Sequence, residues 1–214
     1  MGFTRRQIAF GLAAATAAAP GLAFPLTGAA AETLPVDLIM TPGPLADIVI
    51  GAKGAPVTIV EYAALTCPHC EHFHSAIYPA LAAKYIEPGK VRFIMREFVL
   101  NALDTAGWMV ARYLGDDKRT ALVDLLFDKQ EVWVHDNPIN DLFAVVSQAG
   151  FTQETFDRCL KDQQLYDAVV QTAKFAEEKL GVDSTPTFFI NGTKVIGAEP
   201  IEEFDRIIVP MLGT

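Results

Sequence analysis

Cys67-Pro68-His69-Cys70 is the strongest chemical signal in the chain. Two cysteines at this spacing, one turn apart on a helix, can form and open a disulfide. The motif stands between an expected strand and an expected helix, which puts Cys67 at the helix N-terminus. Unpaired backbone N–H groups and the positive end of the helix dipole stabilise a thiolate there more than a thiol. Pro68 suits the first turn, where its missing N–H would have had no intrahelical partner. His69, when protonated, adds a second favourable charge and lowers the Cys67 pKa further. A stabilised thiolate leaves a mixed disulfide readily and biases the pair toward the dithiol, so the disulfide form oxidises other thiols.

Other uses of the pair fit less well. A zinc site could start from Cys-x-x-Cys, with His69, His72 and His74 nearby. His69, however, lies between the cysteines, the remaining cysteine is the distant Cys159, and His72 and His74 point different ways on a helix. A purely structural bridge gains little from closing so short a loop. No metal site is expected, and no phosphate loop, zinc-protease motif or nucleophile elbow calls for a cofactor.

Two further positions could serve the pair. Glu61 follows the apolar run from Val57 to Val60, six residues before Cys67. There it can lie beneath the helix as a buried carboxylate with a raised pKa, exchanging a proton with Cys70 through a water. Its bland alternative is a surface glutamate at a strand end. Thr185-Pro186 precedes the strand from Thr187, and from the residues alone it reads as an ordinary turn or strand-edge proline, a cis bond being uncommon even before proline and usually the mark of a constrained site.

These side chains need a small sheet and helices to position them. Val57 to Tyr62 and Val91 to Met95 read as buried strands. Between them, Phe73, Ile77, Leu81 and Tyr85 mark one face of a helix from 67 to about 85. Residues 102 to about 180 read as helical, closed by Gly181 at a C′ position. Thr187 to Ile190, Asn191-Gly192 and Thr193 to Ile196 form a hairpin with a type I′ turn, followed by a helix from Ile201 to Leu212. The fold class is therefore α/β, an open sandwich around one sheet with a helical insertion.

Composition limits what such a domain can do. Of 214 residues, 17 are Lys or Arg and 26 are Asp or Glu, so the formal charge is −9 and no basic footprint for nucleic acid exists. Residues 1–31 carry Arg5 and Arg6, an apolar stretch from Ile8 to Ala19, and Ala29-Ala30-Ala31 before Glu32. This pattern reads as a cleaved signal peptide, and Thr4-Arg5-Arg6-Gln7 resembles a twin-arginine signal. The expected location is the periplasm, as a soluble protein in an oxidising compartment. Cys159 is expected to be a buried small hydrophobe, and Trp108, Trp133, Phe127, Phe143 and Phe151 are expected core of the insertion. His135 has no assigned role.

Three motifs in order, Val57-Thr58-Ile59-Val60-Glu61-Tyr62, Cys67-Pro68-His69-Cys70 with Phe73, and Thr185-Pro186-Thr187-Phe188-Phe189-Ile190-Asn191-Gly192, resemble the DsbA-like bacterial thiol-disulfide oxidoreductases of the thioredoxin superfamily. The resemblance covers about residues 48–213 and implies a thioredoxin fold with an inserted helical domain. It implies a signal peptide at 1–31 and an N-terminal extension with the first strand at 32–56. The fold's N-terminal part with the active site then spans 57–100, the insertion 101–180 and the C-terminal part 181–214. It also implies Cys67 as the exposed nucleophile, Cys70 as the buried resolving cysteine and Glu61 as the acid under the helix. Pro186 becomes a cis-proline facing the disulfide, with the Thr185 backbone binding a substrate strand. The activity implied is an oxidase for reduced exported proteins, acting as a monomer and reoxidised by a quinone-coupled inner-membrane partner of the DsbB kind. Threonine before the proline, where the best-known periplasmic oxidase has valine, keeps isomerase or reductase as the alternative. A chaperone-like binding module is the third class.

Overall fold

The structure, a computed structural model, describes residues 32–213 apart from Pro42, Asp136 and Asn137. The expected leader and part of the loop after Val134 lie outside the described residues. Among the described residues, five strands form one sheet in the order β1-β3-β2-β4-β5. β2 (Val57–Ala63) and β3 (Val91–Glu97) run parallel at its centre, joined by the helical crossover that parallel pairing requires. β4 (Thr187–Ile190) pairs antiparallel with β2, and β5 (Thr193–Ile196) with β4. β1 (Ile48–Ile50) runs antiparallel along the outer edge of β3. β2 continues past its expected end at Tyr62, so Glu61 lies inside the strand, between Met95 of β3 and Phe188 of β4.

Alternation along the strands sorts the sheet into two faces. Ile59, Ala63, Phe93, Met95, Phe188 and Ile190 join the core on the active-site side. Val60, Tyr62, Ile94 and Phe189 point the other way, against Ala173, Ala176 and Leu180 of the helix Gln163–Leu180. Ionisable residues of the central strands are buried on both faces: Glu61 on the first, with Glu97 at the end of β3 paired to Arg112, and Arg96 on the second.

The crossover from 68 to 86 alternates α-helical and π-helical turns, with π segments at Phe73–Ile77 and Ala82–Ile86. Pro79 has no N–H to give the ladder, which favours such irregularity. The wider turns also account for the strict four-residue spacing of Phe73, Ile77, Leu81 and Tyr85. Four residues overshoot one α-turn and undershoot a π-turn, so mixing the two keeps all four buried on one face.

The expected helical block is present between β3 and β4, as helices from Ala102–Tyr113 through Gln163–Leu180. Trp108 and Trp133 are fully buried in its core with Phe127 and Phe151, and the Trp133 indole donates to the Leu126 carbonyl at 2.8 Å. Gly107 lets the first of these helices approach the active-site loop. A Cβ there would sit 3.2 Å from both Leu65 and the Trp133 ring. Gly181 ends the long helix in the left-handed region, as the pattern predicts. Asn191 and Gly192 both have positive φ, the requirement of the type I′ turn.

Candidate active site

Cys67 is the N-cap of the helix that starts at Pro68, with extended backbone angles. Its carbonyl accepts from the N–H groups of Cys70 and Glu71, both at 3.1 Å. The sulfur therefore stands where an Asp or Ser oxygen stands at an ordinary N-cap, facing the N–H groups of the second and third helical residues. Those two N–H groups belong to His69 and Cys70. Cys67 and Cys70 are both free thiols in this structure.

The two sulfurs are pushed in opposite directions. Cys67 is lowered from the usual thiol range to about 5. The main cause is a hydrogen bond from the Cys70 thiol, which outweighs burial. The Thr185 side chain and the backbone N–H groups of Cys70 and His69 add to it. Cys70 is driven well above the usual range by burial first, then by its bond to Cys67 and by the charge of Glu61. The Thr185 carbonyl accepts from the Cys67 thiol at 3.4 Å. Thr185 thus holds this sulfur in either state, through its carbonyl when protonated and its hydroxyl when ionised.

Two expectations about this motif need correction. Cys67 is more accessible than Cys70 but is only 6% exposed, because the loop carrying Thr185 lies over it. The imidazole of His69 was expected to lower the Cys67 pKa. The structure places the His69 side chain at the surface, and what His69 contributes is its backbone N–H.

The remaining expected residues converge on the same end of the sheet. The Thr185–Pro186 peptide bond is cis, and the Pro186 carbonyl accepts from Gly197 at 2.8 Å. Thr187 donates to the Ser184 carbonyl at 2.8 Å, tying this loop to the start of β4. Glu61 is fully buried beneath the helix, with enough influence on Cys70 to raise it. Pro68 is exposed beside His69. Cys159 is remote, fully buried within the insertion, and pushed up to about 12 by burial and by Asp162.

Three residues at the site have roles that sequence reasoning missed. Asp104 is fully buried, and its carboxylate accepts from Thr66 N–H at 2.7 Å and Leu100 N–H at 3.0 Å, clamping the loop before Cys67. Burial, and to a lesser degree the nearby Cys67 charge, raise its pKa. Its signal was present in Asn101-x-x-Asp104, since Asn101 caps the helix by accepting from Asp104 N–H. Gln130 donates to the Leu65 and Cys67 carbonyls at 2.8 and 3.1 Å, a contact that nothing local in the sequence announces. His74 bonds the Glu61 carboxylate at 3.0 Å. It lies four residues after Cys70, on the same helical face, and that spacing was the available signal.

A thioredoxin family model matches residues 45–209. A Rickettsia bellii protein with the provisional name protein-disulfide oxidoreductase is 33% identical over 150 residues, covering 69% of this chain and 58% of that protein. Disulfide bond formation protein D of Bacillus subtilis is 28% identical over 170 residues, covering 74% of this chain and 72% of its own length. The crystal structure of α-DsbA1 from Wolbachia pipientis aligns with a TM-score of 0.74 at 27% identity, over 84% of this chain and 96% of that one. The chain spans a little over half the length of the rickettsial relatives it matches.

Proposed function

The chain belongs to the DsbA-like thiol-disulfide oxidoreductases of the thioredoxin superfamily, and from that premise we propose that it is a dithiol oxidase. It donates a Cys67–Cys70 disulfide to reduced proteins. The observation that carries this reading is the placing of the two sulfurs, Cys67 at the helix N-cap against the cis-proline loop and Cys70 fully buried beneath it, which favours one as an anion and the other as a thiol. A dithiol stabilised in this way makes its disulfide a good oxidant.

In the proposed reaction a substrate thiolate attacks the Cys67 sulfur. The new S–S bond forms as the Cys67–Cys70 bond breaks, and Cys70 leaves with the electron pair and takes a proton. Glu61 serves that proton transfer. A second substrate thiolate then attacks the first substrate sulfur, releasing the oxidised substrate and a stabilised Cys67 thiolate. The Thr185 backbone, next to Pro186, pairs with the bound substrate strand. Pro68 starts the helix, and His69 presents its N–H to the sulfur.

The substrates proposed are exported proteins with reduced cysteines, met in the periplasm. Support comes from the leader-like residues 1–31 and from the DsbA name of the Wolbachia relative. Reoxidation then falls to a quinone-coupled membrane thiol oxidase of the DsbB kind.

The test is to mix the oxidised protein with a reduced two-cysteine peptide and follow peptide mass. Wild type should form the peptide disulfide, Cys67→Ser and Cys70→Ser should abolish it because neither has a disulfide to donate, and Cys159→Ser should keep nearly the full rate. Absence of peptide oxidation by wild type contradicts the proposal. A reduction potential as low as that of thioredoxin would reassign the protein as a reductase.

A further inference from the structure

We infer that His74 is a positioning residue that links Glu61 to solvent, so that the proton reaching Cys70 enters from a cavity beside the helix. This rests on the oxidoreductase reading above and adds to it the route of the proton.

The difficulty it resolves is burial. Glu61 has no exposed surface, and Cys70 has none. A proton must nevertheless reach Cys70 whenever its sulfur leaves the disulfide, because its surroundings disfavour the anion. Sealed from water, Glu61 can give up a proton once but cannot recover one unaided. His74 meets both requirements of a link. Its Nε2 lies 3.2 and 3.0 Å from the two Glu61 oxygens. It also lines a cavity of about 330 Å³ between the crossover helix and the helix Asp116–Asp128. Ser75, Asp124 and Asp128 on the cavity's wall are exposed, so it opens to water.

The ring is held in place. It stacks on Phe127 with centroids 4.3 Å apart and planes 13° apart, and it meets Phe73 edge-on at 5.3 Å. An imidazole fixed this way can accept a proton at one nitrogen and release one at the other. The titratable groups around it are Glu61 from β2, Asp124 and Asp128 from the neighbouring helix, and Glu71 and Tyr78 from its own, with Cys70 one turn before it. Tyr78 is pushed up to about 12 by burial and nearby carboxylates, so it stays protonated at neutral pH.

The balance is simple. The electron pair of the attacking substrate thiolate makes the new S–S bond, and the pair of the broken bond stays on Cys70. One proton passes from the Glu61–His74 pair to Cys70, and one proton from cavity water restores the pair. In the reverse direction Cys70 loses its proton along the same path as it attacks a mixed disulfide. No further oxidant or reductant is needed.

The experiment follows reduction of the oxidised protein by excess dithiothreitol in stopped flow from pH 5 to 9. His74→Gln keeps an N–H to donate to Glu61 but cannot carry a proton. It should slow the reaction about tenfold at pH 7 and flatten the rate–pH profile, while the Cys67 thiolate titration stays as in wild type. Glu61→Gln should slow it at least as much, and the double variant should be no slower than Glu61→Gln alone. Added imidazole should restore much of the rate lost in His74→Ala, because the cavity adjoins the missing ring. A His74→Gln rate and profile equal to wild type would overturn the inference, as would a shifted Cys67 titration or failure of imidazole to restore His74→Ala. Failure of the oxidoreductase reading looks different, since the wild-type disulfide would then react no faster than that of a short Cys-x-x-Cys peptide.

Discussion

The two faces of the central sheet each bury a charged side chain, and they treat it in opposite ways. On the face away from the active site, Arg96 uses four of its five N–H donors. Its Nε and Nη2 donate to both oxygens of Asp47 at 2.7 and 3.1 Å, and its Nη1 donates to the Ile39 carbonyl at 2.7 Å and the Tyr62 hydroxyl at 2.9 Å. These partners hold the proton firmly on Arg96 and pin the residues before β1 to the sheet. On the active-site face, Glu61 meets a single imidazole, beside a cavity and a thiol. A charge held by several fixed partners, none of which readily takes its proton, serves the fold. A charge bonded only to a group that can itself gain and lose a proton is suited to chemistry.

Separating the two faces by mutation is the strongest way to break this contrast. Arg96→Leu strands the Asp47 carboxylate, the Tyr62 hydroxyl and the Ile39 carbonyl, and should cost about 3 kcal/mol of stability in urea unfolding. The potential of the Cys67–Cys70 pair should not move. Glu61→Gln should do the reverse, leaving stability unchanged or raised by removing a buried ionisable group while slowing disulfide exchange. If Arg96→Leu alters the redox potential, the faces are not independent.

The next effect is a pH dependence of stability confined to the reduced protein. Cys67 is lower in the folded state than in the unfolded chain, so its ionisation stabilises the fold above the free-thiol pKa. That stabilisation falls away as the pH drops from about 9 toward 5. Cys70 is raised, so its contribution is complete below the free-thiol range and is lost only as the pH rises beyond it. Between pH 5 and 9 the reduced protein should therefore gain stability on the oxidised one as pH increases. Parallel urea titrations of the two forms measure the gap, and a constant gap would count against a lowered Cys67.

The smallest effect separates the sources of that lowering. Thr185→Val removes the hydroxyl that favours the thiolate and should raise the Cys67 midpoint. His69→Ala keeps the backbone N–H and should move it less. If His69→Ala has the larger effect, the imidazole charge expected from the sequence is the true source after all.

Much of the scaffold was legible because it follows local rules. The β-branched run at Val57, the Asn191-Gly192 turn and the Gly181 stop each carry their own reason for the conformation observed. The Cys-x-x-Cys motif, Glu61 and Thr185-Pro186 were legible as a set, and the structure gathers them at one end of the sheet. What could not be read were contacts that exist only once distant elements pack. Gln130 reaches Cys67 from the insertion, and Asp104 clamps Thr66 across a large sequence gap. The sequence offers His74 only as a candidate metal ligand, because its pairing with Glu61 depends on β2 passing beneath the helix. His69 is a related case. A charge's effect depends on where its side chain points, and at this N-terminus the imidazole points to solvent.

The account turns on the two sulfurs having different protonation states at neutral pH. Ultraviolet thiolate absorbance of the reduced protein, titrated from pH 3 to 10, tests this directly. One equivalent should appear with a midpoint near 5, with Cys70 and Cys159 silent through the neutral range. Two equivalents rising together in the ordinary thiol range would contradict it.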